Sequence, residues 1–189
     1  MDDVDRKIVS QLQANGRTSL EELSRITGFT SMGTKKRLQK LLANGTIKVS
    51  AVVNLAQLKL LPAIVMLEME NAEAMQNLLN RFRNCPRVVN ILKAIGGFNL
   101  IAFVVAENRD TLESISMEKC SLRSSQGIRR SEFYPIGDDY LSPFFPVREN
   151  LTGLNKSIAP CGVDCKSCPR YIDGKCVGCP ATKYYRGSL

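Results

Sequence analysis

The chain has 189 residues, a formal net charge of +8 and no histidine or tryptophan; 44% of its residues are hydrophobic and 23% are charged. This balance is typical of a globular chain of one domain or two small ones, and it argues against extensive disorder. The lack of histidine excludes Cys₂His₂ zinc fingers, HExxH metalloproteases and nucleophiles that are activated by histidine.

The sequence shows neither a membrane span nor a secretory signal. No apolar run approaches the roughly 20 residues that a membrane-spanning helix needs, and residues 1–10 are acidic and mixed. Five of the seven cysteines lie between Cys161 and Cys179. Together these features predict a cytoplasmic protein whose clustered cysteines serve metal or redox chemistry rather than disulfides. The other two, Cys85 and Cys120, are expected to be ordinary buried cysteines.

The positive charge is concentrated at the two ends of the chain. Residues 1–53 hold nine Lys or Arg and five Asp or Glu, residues 54–155 hold eleven of each, and residues 156–189 hold six against two. A neutral middle between two basic ends predicts a segmented chain whose capacity for anion binding lies at its ends.

The first segment has the pattern of three helices. Apolar residues recur every four positions in the first, and the second is expected to begin after Ser19 and to end at Gly28. The third follows after a short turn, with Thr30 or Ser31 as its cap, so that the pair forms a helix-turn-helix. Residues 47–54 have the pattern of a strand or wing. The expected core side of the third helix consists of Thr34, Leu38, Leu41 and Leu42.

The third helix is the candidate for DNA binding. On an ideal helix that turns about 100° per residue, Lys36 and Lys40 lie opposite the apolar side, and residues 30–50 carry five basic side chains and no acidic one. Cations suit phosphate contacts, and short side chains at the helix start allow approach to base edges. A solvated lysine face without a ligand is the alternative. The residues predicted to contact DNA are Ser31, Met32, Lys35, Lys36, Arg37 and Lys40.

The middle of the chain alternates between strand and helix patterns. Gly96-Gly97 separates two apolar runs and is a strong hairpin signal. The order β-α-β-β-α-β is that of a ferredoxin-like domain. Strands are predicted at 62–70, 87–95, 98–106 and 127–136, and helices at 72–83 and 108–119.

The hairpin also predicts self-association. Residues 87–106 are apolar at successive positions, which is unexpected for an antiparallel sheet with one face in water. A second subunit that covers this face would explain the pattern, and burial beneath Phe144-Phe145 is the alternative. Residues 138–160 contain three prolines and are predicted to form an extended, partly docked linker.

The C-terminal segment carries the most specific chemical pattern. It has few apolar residues for a core of its own, so metal–thiolate bonds are expected to supply its order. Its spacing is Cys161-x₃-Cys165-x₂-Cys168-Pro-x₆-Cys176-x₂-Cys179-Pro.

Three interpretations of this spacing stay open. An iron–sulfur cluster of the [4Fe–4S] type would use the triplet Cys161, Cys165 and Cys168, with Cys176 or Cys179 as the fourth ligand. A Zn²⁺ ion would use the four CxxC cysteines and leave Cys161 idle. A thiol switch would need no metal.

The N-terminal sequence resembles the winged helix-turn-helix of the Lrp/AsnC (feast/famine) transcription regulators. The resemblance is carried by D-x-x-D-x-x-I, L-Q-x-N-x-R, E-L-S and R-L-x-x-L-x-x-x-G-x-I, and GGFNLIAFV resembles the hairpin of that family's effector domain. It covers roughly residues 2–137 and implies homodimers, often assembled further, with a small-molecule effector near the dimer interface. The effector residues it implies are Gly96, Gly97 and Asn99, although Asn99 stands where the family commonly has Asp.

The tail CGVDCKSCPRYIDGKCVGCPA is similar to a small cysteine-rich domain of the CGxxCxxCP…CxGC type from uncharacterised microbial proteins. That resemblance supports metal binding and does not choose the metal. Siroheme decarboxylases also resemble the two-domain arrangement, but histidines serve their chemistry and this chain has none.

These patterns together predict an α+β protein that regulates transcription and is not an enzyme. Its metal–thiolate module would sense redox or metabolic state and alter the spacing of two DNA-binding helices in a dimer. The alternatives are a regulator or architectural DNA-binding protein with a structural zinc site, and an electron-transfer protein or enzyme on the same fold. The predicted domains are a winged helix-turn-helix at 1–54, a ferredoxin-like domain at 55–137, a linker at 138–160 and a cysteine-rich module at 161–189.

Overall fold

The computed structural model of the chain describes residues 1–137, 142–147 and 155–187. The chain divides into two compact units, Met1–Ala51 and Val52–Leu189. The cysteine-rich residues belong to the second unit. Part of the predicted linker, residues 138–141 and 148–154, lies outside the described residues.

The first unit is built from three helices. Each helix starts where a side chain accepts a backbone N–H: Asp2, Ser19 and Thr30 are the caps. The second helix ends at Gly28, whose φ of 74° lies in the left-handed region that glycine adopts without strain. The helices are α1 (Asp3–Ala14), α2 (Leu20–Thr27) and α3 (Ser31–Ala43).

A small apolar core holds the three helices together. Each helix contributes one almost fully buried side chain, Ile8, Leu23 and Leu41. Thr34 is buried beside them, but Leu42 is 42% exposed, so its expected core position is wrong. It lies one helix position beyond Leu41, about 100° around the axis, which turns it toward solvent.

The expected wing is absent from residues 47–52, all of which the structure describes. Ile47 packs against the core of the three helices, whereas Val49 and Val52 are about half exposed, so most of this stretch lacks a packed face that would favour a strand. Only β1 (Val53–Asn54) is a strand, and it pairs with β6 (Phe144–Phe145) in the second unit. The β-forming side chains therefore predicted a strand that begins six residues too early.

The second unit contains the predicted β-α-β-β-α-β order. Its antiparallel sheet has the strand order β3-β4-β2-β5. Asn71 and Asn108 cap its two helices by accepting the backbone N–H groups of Ala74 and Thr111. The elements are β2 (Leu61–Met69), α4 (Ala72–Phe82), β3 (Val88–Lys93), β4 (Leu100–Ala106), α5 (Arg109–Met117) and β5 (Ile128–Pro135).

The two faces of the sheet have different coverings. Alternate side chains such as Ala102 and Val104 pack with Leu78 and Phe82 of α4 in the main core. On the opposite face, Phe145 stacks on Phe103 with ring centroids 4.9 Å apart.

This second face is only partly covered by the chain itself. Leu55, Leu60, Val105 and Val147 are buried in a small cluster there. Leu92, on neighbouring β3, remains 56% exposed. The alternative of burial beneath Phe144-Phe145 therefore accounts for part of the apolar pattern of the hairpin.

The C-terminal tail, residues 155–187, packs onto the main core of the second unit. Ala159 and Ala181 are 4% and 1% exposed and belong to that core. The tail contains one short helix, α6 (Pro169–Ile172), whose Tyr171 is buried. Its order thus has a source that the sequence did not reveal, namely apolar contact with the sheet domain.

Candidate DNA-binding helix and cysteine-lined cavity

Helix α3 is held against its two neighbours by polar as well as apolar contacts. The hydroxyl oxygens of Thr27 and Thr34 lie 3.3 Å apart, and both side chains are buried. The guanidinium of Arg37 donates to Asp2 at 2.6 Å and to Asp5 at 3.0 Å. These contacts fix which side of α3 faces outward.

The outward side of α3 presents most of the predicted DNA-contacting residues. Lys36 and Lys40 are exposed one turn apart, and Met32 is 64% exposed near them. Ser31 and Lys35 are also exposed. Such a surface can place ammonium groups on phosphates and short side chains near base edges. Contact with DNA stays a prediction for each residue.

Arg37 differs from the lysines in its surroundings. Its side chain is 31% exposed, it pairs with two carboxylates of α1, and its guanidinium lies 5.1 Å from the ring centroid of Phe29. The Asp5 backbone N–H and the Arg37 guanidinium lower the pKa of Asp2. In this structure Arg37 therefore joins α3 to α1, a role that sequence periodicity did not indicate.

The effector residues implied by the resemblance lie at the β3–β4 hairpin. Gly96 and Gly97 are exposed. The side-chain oxygen of Asn99 accepts the backbone N–H of Met69 at 2.8 Å, and its nitrogen donates to the Met69 carbonyl at 2.9 Å. The amide of Asn99 is thus engaged in tying the hairpin to β2, and its contact with an effector stays a prediction.

All seven cysteines line one cavity in the second unit. Its volume is about 50 Å³, and seven of its eighteen lining residues are cysteines. All seven are free thiols. Five come from the tail as predicted, whereas Cys85 and Cys120 come from the loops that follow α4 and α5.

Sequence reasoning treated Cys85 and Cys120 as ordinary core residues and missed their place at the cavity. The predicted helix ends at 83 and 119 place Cys85 and Cys120 at different distances from their helices, so their equivalence appears only with the observed helix ends. Each cysteine is the third residue after the last residue of its helix, Phe82 or Met117, so the two occupy equivalent positions in the two halves of the β-α-β-β-α-β order.

Burial governs the protonation of several of these thiols. It raises the pKa of Cys120 and of Cys179 to about 12. It also raises the pKa of Cys85 and of Cys165. Because the thiolate is the form that binds metals and reacts with oxidants, metal binding here has to release protons.

One buried cation, Arg87, also lines the cavity. Its guanidinium donates to both carboxylate oxygens of Glu107 at 2.9–3.1 Å and to the Gly178 carbonyl of the tail. Burial opposes its charge, but the charge of the Glu107 carboxylate and its hydrogen bonds act in the opposite direction, and the pKa of Arg87 is raised. It remains a fixed positive charge beside the thiols.

The donor chemistry of the cavity suits thiophilic metals. With thiols and no imidazole at hand, an iron–sulfur cluster or zinc fits better than a metal that prefers oxygen. Within residues 1–137, 142–147 and 155–187, however, no three Cys, Asp or Glu side chains are arranged to hold a metal ion. Metal loading would therefore require the thiols to converge.

A larger groove adjoins the cavity and shares three of its cysteines. This groove has a volume of about 610 Å³. Cys120, Cys161 and Cys168 line both spaces, and Asp164 and Ser167 add polar groups to the groove. The groove is a route by which a metal ion or a small oxidant could reach the thiols.

Hydrogen bonds of two arginines and one serine bind the tail to the sheet domain. Arg81 donates to the Cys161 carbonyl at 3.1 Å, and Arg170 donates to the Ser114 hydroxyl at 2.6 Å and to Glu113 at 2.8 Å. The hydroxyl of Ser114 in turn donates to the Lys175 carbonyl at 3.2 Å. The cavity is therefore closed by a tail that is anchored along its length.

Comparisons with known proteins agree with the two-part architecture. The AsnC-type helix-turn-helix domain matches residues 1–42. The chain is 31% identical over 116 residues to PF0054, an uncharacterised HTH-type transcriptional regulator of Pyrococcus furiosus. The aligned segment covers 59% of this chain and 75% of that protein.

Solved structures show the same fold. Escherichia coli AsnC superposes with a TM-score of 0.65 at 19% identity, over 75% of this chain and 95% of that one. A transcriptional regulator of Neisseria meningitidis, solved as a complex with L-Met, superposes with a TM-score of 0.66 at 20% identity, over 74% and 91% of the two chains. Among the described residues of this chain, no helix has the length and apolar character to cross a membrane.

Proposed function

Because the chain belongs to the Lrp/AsnC family of HTH-type transcriptional regulators, we propose that it binds double-stranded DNA through α3 and that Lys36 and Lys40 supply phosphate contacts. The observation that carries this proposal is their exposure, one turn apart, on a helix whose other side is fixed by the core and by Arg37. Ser31 and Met32, at the start of α3, would approach base edges.

Salt-dependent DNA binding tests this assignment. Each phosphate contact contributes a slope of about −0.9 to the plot of log affinity against log salt concentration. Replacing Lys36 and Lys40 with alanine should therefore flatten the slope by about 1.8 for each α3 that contacts DNA. The matched control is Lys93→Ala/Lys119→Ala, which removes the same charge from exposed positions of the second unit. Equal slopes in the two double variants would contradict the assignment.

We further propose that the chain forms homodimers, or larger assemblies, through the partly covered face of its sheet. The exposure of Leu92 on that face supports this proposal. A small-molecule effector would bind near Gly96 and Gly97, as the relation to a regulator solved with L-Met suggests by analogy. Sedimentation of the full chain, with and without candidate effectors, tests both ideas; a stable monomer would contradict the dimer.

For the cavity we propose a metal–thiolate centre that senses redox or metabolic state, with an iron–sulfur cluster as the first candidate and Zn²⁺ as the second. The presence of seven thiols in the lining of one cavity, next to an open groove, supports it. A cluster can be oxidised and lost, whereas zinc has no redox chemistry of its own. A centre that responds to oxidants could thus change DNA affinity.

Anaerobic purification distinguishes these metals. Brown protein that contains iron and sulfide, and whose DNA affinity changes when air is admitted, would support the cluster. The triplet Cys161, Cys165 and Cys168 should then tolerate no serine replacement. Colourless zinc protein with unchanged DNA binding after oxidation and a silent Cys161→Ser would support a structural zinc site instead.

A further inference from the structure

The C-terminal tail is as basic as the helical segment at the other end of the chain. Residues 156–189 hold six Lys or Arg against two Asp or Glu, and residues 1–53 hold nine against five, so that both segments carry a net charge of +4. A metal–thiolate centre in the cavity does not require lysines on the outer surface of the tail. Their charge is therefore available to an external partner.

Three of these cations, Lys156, Lys183 and Arg186, form one patch on the tail (the tail patch). All three are exposed, and no carboxylate among the residues that the structure describes forms an ion pair with any of them. Arg170 differs, because it pairs with Glu113 and serves to anchor the tail. The charge of the tail patch is thus not neutralised from within the described part of the chain.

Backbone pairing brings the two lysines of the tail patch together. The N–H of Lys156 donates to the Ala181 carbonyl at 3.1 Å, and the N–H of Lys183 donates to the Lys156 carbonyl at 3.0 Å. Between these two bonds, Lys156 pairs with Thr182 as an isolated parallel bridge. The main chain therefore holds the two lysine backbones next to each other, although they come from the two ends of the tail.

Aromatic rings connect the lysine pair to Arg186. The Lys183 ammonium lies 5.4 Å from the ring centroid of Tyr184, which meets the ring of Tyr171 edge to face at 6.4 Å. The Arg186 guanidinium lies 4.1 Å from the ring centroid of Tyr171, which is itself buried. Because these contacts restrict both side chains, binding an anion would cost them less conformational entropy than it costs freely moving cations.

We propose that the tail patch binds the phosphate backbone of duplex DNA, as a second contact besides α3. This inference rests on the proposed DNA-binding function and extends it to the second unit. Duplex DNA is the favoured occupant, because a regulator of this family already engages it and because its phosphates complement cations that have no acidic partner.

The connection of the tail patch to α3 through one chain adds to this argument. Once α3 is bound, the linkage raises the concentration of DNA phosphates around the tail, so that even a weak second contact increases affinity. Phosphate contacts carry no direct sequence information. The tail patch should therefore strengthen the binding of every duplex to a similar extent.

Fluorescence anisotropy of a labelled duplex, titrated with the full chain at several salt concentrations, tests the tail patch. Lys156→Gln/Lys183→Gln should flatten the slope of log affinity against log salt concentration by about 1.8 for each tail that contacts DNA. A roughly fourfold rise in salt concentration would then weaken wild-type binding about 12-fold more than it weakens binding of the variant. Lys156→Arg/Lys183→Arg keeps both charges and should keep the wild-type slope.

The matched control is Lys166→Gln/Lys175→Gln. It removes the same charge from two exposed lysines of the same tail that lie outside the tail patch, and it should leave the slope close to that of the wild type. Because all four lysines are exposed, both double variants should melt at the wild-type temperature. If Lys156→Gln/Lys183→Gln melts lower, the two single variants replace it, each with an expected change in slope of about 0.9.

The outcomes separate this inference from the function on which it rests. An unchanged slope in Lys156→Gln/Lys183→Gln, together with a flattened slope in Lys36→Ala/Lys40→Ala, would overturn the tail patch and leave α3 as the DNA contact. Unchanged slopes in both would overturn both assignments. Equal flattening in the patch variant and its control would show an effect of net charge alone and would also overturn the tail patch. Binding of poly-glutamate that is lost in the patch variant, while its DNA slope stays unchanged, would assign the patch to an acidic protein instead.

Discussion

Replacing Arg87 with methionine should destabilise the second unit more than almost any other single change. The guanidinium and the Glu107 carboxylate are 7% and 4% exposed and lie 2.9 Å apart, so neither charge has water as a substitute partner. Removal of one member of a buried ion pair typically costs about 3–5 kcal/mol, because the other charge is left uncompensated. The total free energy of unfolding of a typical domain is about 5–15 kcal/mol.

The tail would lose an anchor in the same variant. Arg87 also donates to the Gly178 carbonyl, and a buried carbonyl without a partner costs about 1–3 kcal/mol. The loss of stability should appear as a lower free energy of unfolding when unfolding in urea is monitored by circular dichroism. Hydrogen exchange within Leu100–Ala106 and residues 176–182 would assign it to the sheet and the tail.

Two further variants make this reasoning refutable. Arg129→Met removes a pair with Glu68 that is 4.0 Å long and largely exposed, and such pairs contribute about 0–1 kcal/mol. Arg87→Met/Glu107→Leu should recover much of the loss, because apolar side chains often replace a buried pair without cost. If Arg87→Met costs no more than Arg129→Met, the buried pair does not hold this unit together.

Three other changes have expected outcomes of their own. Burial raises the pKa of Cys179 to about 12, so little of the reactive thiolate is present at a pH near 9. Iodoacetamide should therefore label Cys179 at least about 100-fold more slowly in the folded chain than in the urea-unfolded chain at that pH. Mass spectrometry would measure the labelling. Arg37→Ala should lower the melting temperature of the first unit while changing the salt slope of DNA binding less than the lysine variant does. That stability difference should shrink as the pH falls below the lowered pKa of Asp2, because the Asp2 carboxylate is then neutral while the contacts of Arg37 with Asp5 and Phe29 are not tied to Asp2. Gly127→Ala should cost about 1–3 kcal/mol in thermal unfolding, because φ is +75° and the new carbon would overlap the side chain of Ala74 in α4. Gly137→Ala, with open space around it, should cost little.

The sequence was sufficient to predict the helices and strands because the signals for them are local. Capping residues and apolar periodicity lie within a few positions of each other, and the predicted helices and strands differ from the observed ones by a few residues at most. The wing was the exception. Its β-branched residues satisfied the local preference, but residues 47–52 have no partner strand among the described residues, and beyond Ile47 their apolar side chains are about half exposed, whereas strands depend on pairing and on burial.

The remaining differences come from contacts between distant residues. Arg37 was predicted on the DNA side from its helix position, yet it pairs with carboxylates 32 and 35 residues away. The tail was expected to lack a core of its own, and Ala159 and Ala181 instead join the core of the sheet domain. Neither partner set has a signature that periodicity or spacing can show.

The anchoring of the tail bears on whether a metal centre there could act as a reversible sensor. A structural metal usually orders a segment that is unfolded without it, so that removal of the metal is removal of the fold. Here Tyr171 is buried, and Arg81 and Arg170 bond the tail to the sheet domain with no metal involved. We therefore expect the tail to stay docked when metal is chelated and the thiols to stay close enough to rebind it. Limited proteolysis should cut residues 155–187 no faster after chelation than before; rapid cleavage of the chelated chain alone would show that the metal orders the tail, and a reversible sensor would then be the weaker explanation.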